Sequence, residues 1–157
     1  MYALEDIQKR VQEGRLFQEG AFDGLELDAI MDRRDQPEFE QQWNKNADAV
    51  LPRWESMPPA EARRTEIDAV REYVFKRVFS ITGGHDETAG AVCDDFELIC
   101  KAAVVGTWTP FLEHMVSCYQ RQQIPDSEIA EPDTSPNGGP AEPLGSSGVG
   151  GGPPSVS

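Results

Sequence analysis

The sequence predicts an all-α protein, an irregular bundle of five or six helices with a disordered C-terminal tail. Three observations carry this. Apolar residues recur at three- and four-residue spacing from Leu4 to Tyr119. No segment alternates with period two over a strand length, and no Asn-Gly turn joins two apolar runs. Gly, Pro and capping residues fall between the periodic stretches, as they do where short turns join helices.

The elements follow in order. Leu4, Ile7 and Val11, then Leu16 and Phe17, predict a first helix over about residues 3–18, weakened by Gly14 and ended by Gly20. Asp23, with Glu26 three residues on, reads as a capping box for a short second helix through Leu27, Ile30 and Met31. Asp35, followed by Pro37 and Glu38, reads as the cap of a third helix. Its stripe is Phe39, Trp43, Ala47, Val50 and Trp54, with a stop or kink expected after Leu51 because of Pro52. Pro58 and Pro59 open a long fourth helix whose apolar face is Val70, Tyr73, Val74, Val78 and Phe79, widened by Phe75. So wide a face predicts the central helix of the core. Gly83 and Gly84 end it, and Asp86 reads as the cap of a fifth helix. That helix has Val92, Phe96, Ile99 and Ala103 on one face and Leu98 and Val105 on another, before Gly106. Thr109 and Pro110 start a sixth, with Phe111, Leu112, Met115, Val116 and Tyr119 pointing inward.

Composition divides the chain into a helical domain, 1–124, and a Gly/Pro/Ser-rich tail, 125–157. The tail has no aromatic residue, no Lys and no Arg, so it cannot bury enough apolar surface to offset its chain entropy. The chain's net charge is −14; with the tail's five acids set aside, 23 acids face 14 bases. Such a field repels nucleic acid and anionic membrane surfaces and attracts a basic protein partner. No apolar run is long enough to span a membrane, and there is no apolar signal-peptide core. Three cysteines without a spacing framework point to a reducing compartment, and we expect the protein to be cytoplasmic.

Catalytic and metal motifs are missing. Cys93 and Cys100 stand two helical turns apart, about 10 Å, too far for one tetrahedral zinc. His114 and Cys118 are one turn apart, a spacing met far more often in packing than in catalysis. A di-iron helical bundle needs two Glu-x-x-His motifs, and the sequence has none. Gly83-Gly84 matches no phosphate loop. No metal, cofactor or catalytic residue is assigned.

What stands out is acid. Glu19–Leu51 holds nine acids and three bases, and His85–Ile124 holds six and two, whereas the stretch around the fourth helix has six bases and five acids. The residues expected to face a partner are Asp28, Asp32, Glu38 and Glu40 in the first stretch and Asp94, Asp95 and Glu97 in the second. By helical angle Asp94 lies opposite the Val92/Phe96/Ile99 face and Asp95 at its edge.

The stretch Tyr73–Gly106, with its apolar helix, Gly turn and Asp-Asp-Phe cluster, resembles the helical immunity proteins of bacterial toxin systems. The resemblance implies a small, acidic, cytosolic, non-catalytic inhibitor that plugs the active site of a cognate toxin. Two competing readings stay open on the residues alone: an adaptor or chaperone for a secreted effector, and an enzyme with an unrecognised helical site.

Overall fold

The computed structural model describes residues 2–14, 16–57 and 61–130. The tail beyond 130 and the Pro58-Pro59 start of the fourth helix lie outside the described residues. Within them are six helices and no strand: α1 (Leu4–Gln12), α2 (Leu27–Arg34), α3 (Pro37–Ser56), α4 (Glu61–Ile81), α5 (Asp86–Val105) and α6 (Pro110–Gln120).

The centre of the bundle is α5, not α4 as the apolar face predicts. It packs against each of the other five helices. Small residues on several of its sides, Ala89, Cys93, Cys100 and Ala102, are buried and let neighbours approach closely. By contrast, α4 buries one stripe, Ile67, Val70, Val74 and Val78. Phe79, expected on that face, and Phe75, expected to widen it, are 42% and 37% exposed and stack on each other. Their positions fall among Glu72, Lys76 and Ser80 on the solvent side of the helix. Phe17, Phe96 and Tyr119 form the aromatic heart of the core, with ring centroids 5.0–6.1 Å apart. Burying each such ring is worth roughly 1.5–3 kcal/mol.

Helix ends depart from the sequence pattern where glycine or local geometry decides. The first helix stops at Gln12 because Gly14 takes φ +74°, a conformation costly for other residues. Leu16 and Phe17 are buried all the same, on a loop whose Phe17 carbonyl accepts a bond from Arg77 Nε at 2.6 Å. Gly24, also at positive φ, delays the second helix, so its cap is Glu26 rather than Asp23. Gln36, not Asp35, is the N-cap of α3, and His85, not Asp86, is that of α5. The third helix continues through Pro52 to Ser56. An interior proline costs about 3 kcal/mol; Val50 and Trp54, buried on either side, offset it. Gly106 and Thr109 behave as the pattern predicts, one an αL cap, the other accepting from Leu112 N at 3.1 Å.

Residues 125–129, assigned by composition to the tail, pack onto the helices. Pro125 O accepts from Arg34 at 2.7 Å, Asp126 pairs with Arg33, and Ile129 exchanges two backbone bonds with the Gln42 side chain.

Candidate functional site: an acidic groove

Between the α2–α3 corner and the N-terminal half of α5 lies a groove of about 450 Å³. Met31, Phe39 and Trp43 contribute its apolar part, and Gly90 and Ala91 keep the α5 wall low. Five carboxylates surround it: Asp35 and Glu40 from one side, Asp86, Glu87 and Asp94 from the other. Among the described residues none of the five forms an ion pair. Asp94, though exposed, is harder to ionise than an ordinary aspartate, because partial desolvation against the groove wall raises its pKa and Asp95 and Glu97 add to this against the opposing pull of Arg71.

One base lines the groove, and its charge is already used. Arg34 makes a two-pronged bond to Asp95, at 3.0 and 2.8 Å, and stands over the Phe39 ring at 4.7 Å. Burial opposes its charge, but Asp95, Tyr119 and Asp126 outweigh burial and hold the guanidinium firmly protonated. Asp95 also accepts from Trp43 Nε1 at 2.8 Å and Tyr119 OH at 2.5 Å. Burial, then Asp95, pushes the Tyr119 phenol well above its usual range, so it stays a donor. A single carboxylate beneath the groove thus fixes Arg34 and Trp43 from α2 and α3 and Tyr119 from α6. Such a network rigidifies a surface when every member is satisfied.

Of the acids expected to face a partner, the structure brings Glu40 and Asp94 into this groove. Asp95 is a correction: it is fully buried, not surface-facing, and all its bonds are internal. Glu97 is bound by Arg71 at 2.9 Å and Lys101 at 2.6 Å. Asp28, Asp32 and Glu38 are exposed but outside the groove lining. Asp28 reaches His85 Nε2 at 2.8 Å, while His85 Nδ1 accepts from Thr88 N, which pins α2 to the start of α5. The groove acids that sequence reasoning missed are Asp35, Asp86 and Glu87. Asp35 and Asp86 have the residue type of N-caps, but Gln36 and His85 take those positions, and both carboxylates are released to the groove. Their signal was present as acid density at two helix starts.

His114 and Cys118 do approach each other, 3.6 Å from Nε2 to Sγ. Burial lowers the His114 pKa and raises that of Cys118, which opposes a thiolate–imidazolium pair. Among the described residues no three or more His, Cys, Asp or Glu side chains are placed to hold a metal ion.

The model of the family described as immunity protein PIM1 matches residues 6–126, from α1 to the Asp126 that Arg33 binds. The chain belongs to the PIM1 immunity-protein family. No curated protein matches it. The matched region contains every residue of the acidic groove, so the groove is part of the PIM1 domain rather than an appendage to it. Membership implies a protein partner, and no described helix of the chain is long and apolar enough to cross a membrane.

Proposed function

We propose that this immunity protein is a non-catalytic cytoplasmic inhibitor that seats basic side chains of its cognate toxin in the α2–α3/α5 groove and so occludes the toxin's active site. The observation that carries the reading is the set of five carboxylates around the groove, none of which forms an ion pair among the described residues, beside the apolar Met31, Phe39 and Trp43. Such a set supplies the charge that an active site built for an anionic substrate would attract. The overall charge of −14 steers a basic toxin toward the surface and speeds association.

The test is titration of the cognate toxin with the triple variant Asp35→Lys/Glu40→Lys/Asp86→Lys at low and high salt, with circular dichroism as the folding check. Removing a desolvated interfacial charge pair costs about 2–5 kcal/mol. We therefore expect at least a thirtyfold loss of affinity and loss of protection of toxin-expressing cells. Unchanged affinity in the folded variant would remove this reading.

The adaptor reading draws on one observation, the exposed stacked pair Phe75 and Phe79 on α4. It predicts binding that is insensitive to salt and lost in Phe75→Ser/Phe79→Ser.

A further inference from the structure

The groove does not end at Trp43 and Asp94. These two residues also line an adjoining hollow of about 210 Å³, shared with Leu51 and Glu55 of α3 and Glu97, Leu98 and Lys101 of α5. The chemistry changes there. Glu97 and Lys101 neutralise each other, and Leu51 and Leu98 supply apolar wall. Both helices line the two compartments in the same N-to-C order, so they run alongside each other in one direction. From Asp86 to Lys101 the lined edge of α5 is about 22 Å long at 1.5 Å per residue. The acidic mouth centres near Gly90 and the hollow near Glu97 and Leu98, about 11 Å apart along the axis.

The charge restricts what can lie there. The chain's own tail carries acids and no base, and a second copy brings another net −14; both are repelled by the mouth. An extended segment would gain main-chain bonds by adding to a sheet edge, and the described residues hold no strand to offer one. A helix satisfies its own backbone and presents side chains at i and i+7, about 10.5 Å apart.

We propose that the occupant is an amphipathic helix of the basic partner, with a Lys or Arg in the acidic mouth and a large apolar side chain two turns on in the Leu51/Leu98 hollow. This rests on the groove being the partner site. Trp43, held by Asp95, is the rigid divide between the two anchors.

The probe is a stapled helical peptide of about 15 residues with Lys at one position and Leu seven positions later, titrated into the ¹⁵N-labelled full chain. Two control peptides replace the Leu by Ser or the Lys by Glu. The Trp43 indole N–H and the amides of Leu51 and Leu98 should shift. The Ser peptide should bind about tenfold more weakly, the factor for partial burial of one leucine. Leu51→Gln should weaken the Leu peptide similarly and leave the Ser peptide unchanged, while Leu51→Met should restore it. Equal binding of the Leu and Ser peptides, or shifts confined to the mouth, would overturn the helix proposal and leave the acidic groove standing. Binding of the Glu peptide as tightly as the Lys peptide would sink the groove reading itself. No shift at Trp43 at millimolar peptide would overturn both.

Discussion

Replacing Asp95 by Ala should be among the most damaging single changes in this protein. The side chain is fully buried and anchors Arg34, Trp43 and Tyr119. Removing it strands a guanidinium whose side chain is only 10% exposed. Breaking a buried pair from one side costs about 3–5 kcal/mol. The indole and phenol also lose their acceptor, each worth about 1–3 kcal/mol when left unsatisfied, though members of one network do not add. We expect a loss of about 4 kcal/mol or more, against a total stability of about 5–15 kcal/mol for a domain of this kind. The double variant Arg34→Met/Asp95→Leu separates stranded charge from lost packing. Exchanging a whole buried pair for apolar residues is often neutral, so the double variant should be more stable than Asp95→Ala alone. Urea unfolding followed by far-UV circular dichroism measures both. A loss below about 1 kcal/mol for Asp95→Ala, or a double variant less stable than the single, would refute the network.

Other expectations follow from burial and from the C-terminal clamp. Phe96→Ala should cost about 3–5 kcal/mol, whereas Phe79→Ala should cost under about 1 kcal/mol, because Phe96 is 1% exposed and Phe79 42%; similar urea midpoints for the two would contradict the assigned faces. Truncation after Ala130 should keep the Tm within a few degrees of the full chain, while truncation after Ile124 lowers it further, since Pro125, Asp126 and Ile129 bond to Arg34, Arg33 and Gln42; equal melting of the two would mean the clamp adds nothing. Burial, then Arg121, lowers the His114 pKa. Its contribution is therefore fully present above the unfolded value near 6.5 and is lost as pH falls below it, when the unfolded chain takes up the proton first. His114→Gln should lessen the stability drop between about pH 7.5 and pH 5, and an unchanged drop would contradict this.

Much of the fold was legible because local chemistry and tertiary packing agree at many helix ends. Gly83 and Gly84 take positive φ, Gly106 is an αL cap, Thr109 caps α6, and all five apolar residues assigned to α6 are buried. The errors have identifiable causes. Asp35 and Asp86 each stand one residue from the true cap, and residue type alone does not separate a capping carboxylate from a free one. Phe75 and Phe79 are apolar enough to be read into the core, but they stand on the exposed side of α4, beside Glu72, Lys76 and Ser80. Asp95 was the hardest case. Helical angle put it at the edge of the buried face, and what places it inside is Arg34, Trp43 and Tyr119, which lie 61, 52 and 24 residues away. No local pattern encodes that convergence. The candidate site was half legible for a related reason: acid density marked the two stretches, but their meeting across one groove depends on how α2 and α3 lie against α5.

The central claim is that the toxin covers the acidic groove. Carboxyl-specific covalent labelling, read by mass spectrometry on the free protein and on its complex with the toxin, tests this directly. Asp35, Glu40, Asp86, Glu87 and Asp94 should lose label on binding, while Asp28, Asp32 and Glu38, exposed outside the groove, should keep theirs. Retained labelling of the five groove acids in a saturated complex would contradict the account.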